Sequence, residues 1–398
     1  MELHGGRGEH EIIWSEVADD FVAAYSRRML MSLPRRDQRQ NGELYISGLL
    51  SLTSRKSMRS IASTAGGGAI EQRLHHFISK SSWDWVPVRK ELAADLDRAI
   101  APLAWVVKPM LVLKAGEHTV GVTESFVPQL GRVVNSQRSY GVWLAGETQS
   151  APVNWRLRLS DEWLSDPQRR RRADIPEQLG SDDTGGAAAV SAALELSRWG
   201  LRSRPVVVDA REEDVAVLVR HLSATKVPFV LRVGGATRMI PWNALREGRD
   251  VRLMTAQHLA EGAERGGRPV RWSGRGGTSA RPSRIGAVDV VLPSVPCTLR
   301  LVGAPRPGGR RTRELWLSNI TDMPAAFVAR LGRLGDRVDE DFAEISTKVG
   351  VMDFEGRTFG GWHRHTTLTS VAQGIVALSA ARDHRVGLST EGECLRIA

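Results

Sequence analysis

The stretch Arg204-Pro-Val-Val-Val-Asp209 constrains the fold of this 398-residue chain more than any other. Three consecutive valines with no polar residue between them suit a strand buried on both faces, as parallel strands under helices are. Val215, Leu218, Val219 and Leu222 then recur at helical spacing, and Pro228 to Val233 supplies a second apolar strand. Strand, helix and strand of this length make a β-α-β unit, so an α/β sheet is expected. Open α/β sheets place their sites at the carboxyl ends of their strands, which is where Asp209 stands. An N-cap role on the following helix fits Asp209 equally well.

An earlier run, Trp105 to Val122, reads as the sheet's first strand with a turn at Gly116. Lys108 and Pro109 interrupt it with a charge and a missing N–H, neither of which a core strand accommodates readily. His118 to Val127, Arg138 to Leu144 and Asn154 to Leu159 read as further strands of an antiparallel meander. Upstream, Ile13, Val17, Phe21, Tyr25 and Met29 recur every four residues, marking one face of a helix. Helices over Gln38–Leu52, Ser57–Ala65, Ile70–Ile78 and from Pro87 to Ile100 complete a helical region. Helix, Gly66-Gly-Gly68 and helix fit a helix-turn-helix with Gln72, Arg73, His75 and His76 toward a groove. They fit equally a small helical domain that binds no DNA.

The net charge of +10 is concentrated. From Arg232 to Arg313 there are 16 arginines, no lysine and five acids, an excess that exceeds the whole chain's. Planar guanidinium groups fork onto phosphate oxygens, so nucleic acid is the expected partner of this segment. It is also rich in Gly and Pro and looks like a basic β-rich insertion between the last strands. No run approaches the ~18 apolar residues of a membrane span. Cys297 and Cys394 stand far apart, without the spacing of a zinc site, and read as free thiols. After the insertion come a strand over Leu315–Ile320 and helices at 322–333 and about 337–348, the second carrying Asp339-Glu340-Asp341. A final helix is expected over Thr366–Ala381. The expected parts are a tail at 1–10, helices at 11–103, a core at 104–233 with 315–385, the insertion at 234–314, and a tail at 386–398.

This order resembles the DDE transposases of bacterial insertion sequences, in particular the "DDE superfamily endonuclease" proteins of the insertion sequence 701 family, over about residues 12 to 382. Arg55-Lys-Ser-Met-Arg59, His76-Phe-Ile-Ser-Lys-Ser-Ser-Trp-Asp84 and Val88-Arg89 are similar to the family's N-terminal domain. His118-Thr-Val-Gly-Val122, Asn135-Ser-Gln137 and Pro152-Val-Asn-Trp-Arg-Leu157 are similar to its strands. Asp353-Phe-Glu-Gly-Arg357 with Gly361-Trp-His-Arg-His365 resembles its C-terminal signature.

The resemblance implies a ribonuclease H-like mixed sheet and three carboxylates around two Mg²⁺ or Mn²⁺ ions. Asp209 would be the second acid. The third falls at Asp339 or Glu340, with Glu355 a weaker match; the family has Glu where Asp339 stands, and its following basic residue aligns with Ser346. The first acid is missing, because Lys108-Pro109 stands where the family has its Asp-Asp pair, Pro109 matching the catalytic one. If Lys108 faces the site, it is placed to pair with Asp209. The expectation is a DNA-binding protein with lost cleavage and no metal cofactor, a regulator or domesticated remnant. The rival is an active transposase using Mg²⁺ or Mn²⁺. Double-stranded DNA is the implied partner, with self-association into a dimer also implied, no membrane, and a cytoplasmic, nucleoid-associated location. The DNA contacts expected are Arg55, Lys56, Arg59, Gln72, Arg73 and His76 in the helical region. Arg268, Arg271, Arg275, Arg310 and Arg311 follow in the insertion, and Arg357, His363, Arg364 and His365 near the C-terminus. A metal-ligand role for the two histidines is the lesser reading.

Overall fold

A computed structural model describes residues 19–127, 130–180, 185–248, 252–265, 268–270, 283–305 and 313–394. Five helices open the chain: α1 (Asp19–Met29), α2 (Arg36–Ser51), α3 (Met58–Ser63), α4 (Gly68–Ser79) and α5 (Val86–Ile100). Ser57 caps α3 by accepting from the Ser60 amide, and Pro87 sits in the first turn of α5, where its missing N–H costs nothing. Between α3 and α4 the chain reverses through Gly66 and Gly67 at φ +112° and +77°, a region that side chains rarely enter. The expected helix-glycine-helix is therefore present.

The core starts with β1 (Ala104–Leu113), β2 (Val122–Val127), β3 (Arg132–Ala145) and β4 (Ser150–Leu157). Short helices α6 (Asp161–Ser165) and α7 (Pro167–Arg172) lead to α8 (Gly185–Arg198), then β5 (Val206–Asp209), α9 (Val215–Ala224) and β6 (Phe229–Arg232). β3 runs antiparallel to β1, and β1, β5 and β6 are mutually parallel. The order β3-β1-β5-β6 is that of a ribonuclease H-like sheet, as expected. The strand expected from His118 begins only at Val122; Thr119 to Gly121 form a turn with Gly121 at φ +73°.

The insertion contributes β7 (Arg238–Pro241), α10 (Trp242–Arg246), β8 (Met254–Thr255), α11 (Ala256–Glu264), β9 (Arg268–Val270), β10 (Ser283–Leu292) and β11 (Val295–Pro305). It is no detached appendage. β12 (Arg313–Ser318) pairs with β6 on one side and β11 on the other, so the hairpin β10–β11 extends the same sheet. α12 (Ala325–Gly332) and α13 (Leu334–Asp341) follow, and α13 runs on into one π-helical turn at Phe342–Ser346.

The last helix, α14 (Phe359–Cys394), begins seven residues before the expected start and extends through most of the expected tail. Residues 361–377 are buried on every side, so this is a central helix rather than an amphipathic cover. It packs against α2, α4, α5 and β4, and the helical region shares one apolar core with the sheet. Among the described residues no helix is long and apolar enough to cross a membrane.

Gly332, at the end of α12, lies directly under the indole nitrogen of buried Trp316, and a Cβ there would overlap it. Gly332→Ala is expected to cost about 1–3 kcal/mol through overpacking, read as a lower urea midpoint. An unchanged midpoint would show that α12 shifts freely.

Candidate active site

The pairing of β1 with β5 ends at Val107↔Val208. Beyond it the strands' carboxyl ends part over a cleft of about 200 Å³, lined by Lys108, Pro109, Asp209, Arg211, Arg232, Gly335 and Asp339 among others. Asp209 is one residue past the last pair on β5, and Lys108 one past it on β1. Side-chain alternation sets Lys108 on the face of Val106 and Asp209 on the face of Val207, the face packed under α12 and α13. Pro109 points to the other face and is exposed. Lys108 is therefore the β1 residue whose side chain enters the cleft under α13.

Its ammonium does not pair with Asp209, the partner expected above; it pairs instead with Asp339 of α13 and lies 4.8 Å from the centre of the Phe342 ring. The π turn that starts at Phe342 sets this ring under the lysine. Asp209 instead takes a two-pronged grip from Arg211, at 2.9 Å from Nε and 2.5 Å from Nη2. Arg211 was missed in the sequence reading, although its spacing two residues on from Asp209 was visible. The guanidinium of Arg211 is held charged, first by its bond to Asp209 and further by the nearby field of Asp339.

Around the cleft, Arg232 bonds Asp336 at 3.1 Å and Glu314 at 3.2 Å, and Arg333 bonds Glu314 at 3.3 Å. These pairs tie α13 to β6 and β12. Burial raises the Glu314 carboxyl above its ordinary range. The other third-acid candidates lie elsewhere. Glu340 turns back to Arg337 at 3.0 Å and is not in the cleft lining. The neighbouring Asp341, not one of these candidates, is buried and accepts from the Ser150 amide and hydroxyl, 2.7 Å each. Glu355 pairs with Arg55. Asp339 is the acid that shares the cleft with Asp209.

Two carboxylates, each already neutralised, with an ammonium at the third position, do not fit a pair of divalent ions. A cation with one unit of charge about 4 Å from an ammonium is opposed by about 4 kcal/mol at an effective dielectric of 20, and a divalent ion by twice that. Among the described residues no group of three His, Cys, Asp or Glu is placed to hold a metal.

Of the expected DNA contacts, Arg59, Gln72, Arg73, His76 and Arg357 are exposed. Arg73 also donates to Asn41 at 2.8 Å. Arg55 is exposed but engaged with Glu355. Four assignments are corrected. Lys56 is 3% exposed and gives its ammonium to the Leu52 carbonyl. His363, Arg364 and His365 lie in the first turns of the central helix, 5%, 8% and 1% exposed. Arg364 donates to the carbonyls of Ile78 and Trp83. His365 sits between Tyr45 and the Gly350 carbonyl, and His363 stacks on Trp85. These side chains knit the N-terminal helices to α14 and have no phosphate-facing surface. Arg268 lies in β9; Arg271, Arg275, Arg310 and Arg311 lie outside the described residues. Within the insertion Arg300 pairs with Asp289 and Arg313 with Glu264. Arg238, Arg246, Arg252, Arg265 and Arg284 are exposed cations of the insertion that the sequence alone did not single out.

A family model for the DDE superfamily endonuclease matches residues 28–276. The chain belongs to the DDE superfamily endonuclease family. The match covers Lys108, Pro109, Asp209 and Arg211 and ends before α13, so it does not reach Asp339. The family makes this a transposase-like nuclease fold with DNA as the implied substrate and divalent metal as the usual cofactor. No curated protein matches the chain.

Proposed function

We propose that this DDE-family chain is a DNA-binding protein whose own centre does not cut DNA, a degenerate member of the insertion sequence 701 group retained as a site-occupying regulator. The observation that carries the reading is the Lys108 ammonium inside the cleft, bonded to Asp339, where a carboxylate and metal would have to be. DNA would be held by the exposed residues of α3 and α4, by the cations of the insertion and by a second copy in a dimer.

An active transposase is the rival, favoured by one observation: Asp209 and Asp339 line the same cleft. The experiment is strand cleavage by the purified chain on DNA from its own flanks, with Mn²⁺ or Mg²⁺. The expected result is no nicking above that of Asp209→Ala; nicking that disappears in Asp209→Ala would overturn the reading. Binding is expected to survive chelation and to weaken at least about tenfold between 50 and 200 mM salt, as phosphate neutralisation requires. Arg59→Ala with Arg73→Ala should weaken it further and flatten the salt slope. A slope unchanged by that pair would remove α3 and α4 from the interface.

A further inference from the structure

The two acids of the cleft each face a cation supplied by the chain itself. Lys108 comes from β1, is mostly covered, and is pinned between Asp339 and the Phe342 ring. Arg211 follows β5 and forks onto Asp209 with both side-chain and backbone N–H groups. The three positions come from three separate elements, β1, β5 and α13, which the sheet register and the Arg232–Asp336 bond hold in place. The backbone of a three-carboxylate site is thus present, and its charges are rearranged.

We infer that the cleft is a charge-swapped metal site, in which Lys108 and Arg211 are tethered counter-ions to Asp339 and Asp209 and exclude divalent cations. Returning a carboxylate to position 108 and freeing Asp209 then turns the same cleft into a divalent-cation site. The inference rests on reading this cleft as the family's catalytic position. Hard divalent ions need several oxygen ligands converging from a fixed frame. Lys108→Asp supplies the third carboxylate on a strand position fixed by its pairing with Gly141, and Arg211→Ala removes the competing fork while sparing the backbone N–H.

The test is Mn²⁺ binding to the full chain, followed by the loss of the free-ion electron paramagnetic resonance signal. The wild-type protein is expected to show no Asp209-dependent site. Lys108→Asp with Arg211→Ala should bind one Mn²⁺ at least about tenfold more tightly than any wild-type binding, and Asp209→Asn in that background should abolish it. Wild-type binding that depends on Asp209 and equals the variant's would overturn the inference. So would a folded double variant, judged by circular dichroism, that binds no better than wild type. If the aspartate variant does not fold, Lys108→Met with Arg211→Ala removes both cations but keeps an apolar stem over Phe342. It should still bind more tightly than wild type, and an unchanged affinity would overturn the inference. Cation binding and cleavage are separate readouts: a wild-type chain that binds Mn²⁺ through Asp209 as tightly as the variant, without nicking DNA, sinks this inference alone. One that nicks DNA in an Asp209-dependent way sinks the functional reading.

Discussion

Arg89→Ala is expected to lower the unfolding free energy by about 4 kcal/mol, the range for breaking a buried charged network. Arg89 is 2% exposed, and its hydrogen-bond partners among the described residues are not carboxylates. Its guanidinium donates instead to the Thr367 hydroxyl at 2.8 Å, the Trp155 carbonyl at 2.9 Å and Asn154 at 3.0 Å. Nη2 adds bonds to His363 and Thr366. Burial pushes the group down to about 9, with Glu195 and Asp84 opposing from a distance, so it remains charged at neutral pH. Truncation leaves these acceptors buried without donors and opens a cavity where α5, β4 and α14 meet. Arg89→Lys keeps the charge but not the planar fork, and should recover less than half of the loss. Urea denaturation at constant slope checks both. A loss below about 1 kcal/mol for Arg89→Ala would mean that water or neighbours take over the guanidinium's bonds.

The same hub explains where the sequence was readable and where it was not. The β-α-β unit was legible because burial on both faces leaves an uninterrupted Val206-Val-Val208, and no exposed segment mimics that. The helix-glycine-helix was legible because Gly66 and Gly67 stand where the backbone turns left-handed. The insertion's β10–β11 hairpin was recognised as β-like but not as part of the main sheet, since strand periodicity does not name the pairing partner. His363-Arg364-His365 was misread for a physical reason. Charged and imidazole side chains are buried only when partnered, and their partners, Arg89, Trp83 and Tyr45, lie 274 to 320 residues away. In the cleft, the resemblance named Asp209 and Asp339 as acids, and both line the same pocket. The counter-ions were harder: Lys108 and Asp339 are 231 positions apart, and only Arg211 lay within sight of its acid.

Acid is expected to destabilise the protein from about pH 6.5 downward, before most of its carboxylates are protonated. His365 accepts from the Tyr45 hydroxyl at Nδ1, 2.9 Å, and donates from Nε2 to the Gly350 carbonyl, 3.0 Å, which fixes a neutral ring. Burial is the main cause that lowers it from 6.5 to about 4, with the Lys114 ammonium adding to the effect and the Gly350 bond and Asp353 opposing it. His363 is also lowered well below its ordinary value, by burial and then by Arg89, Arg156 and Arg364. Above pH 6.5 both rings are neutral in folded and unfolded chains, and neither costs stability. Between 6.5 and 4 the unfolded chain takes up protons that the folded chain refuses, so stability falls with pH by about 1.4 kcal/mol per unit for each ring. For His365 alone the loss by pH 4 comes to about 3 kcal/mol, and His363 contributes at most one further proton to the slope. The measurement is the urea midpoint at pH 7, 6 and 5 in wild type and in His365→Gln. The variant should be less stable at pH 7 because it loses ring packing against Phe354 and Tyr45, yet its midpoint should fall less steeply with acid, by one proton's worth. Equal slopes in the two proteins would show that the His365 ring titrates freely in the folded chain, contrary to its place in the core.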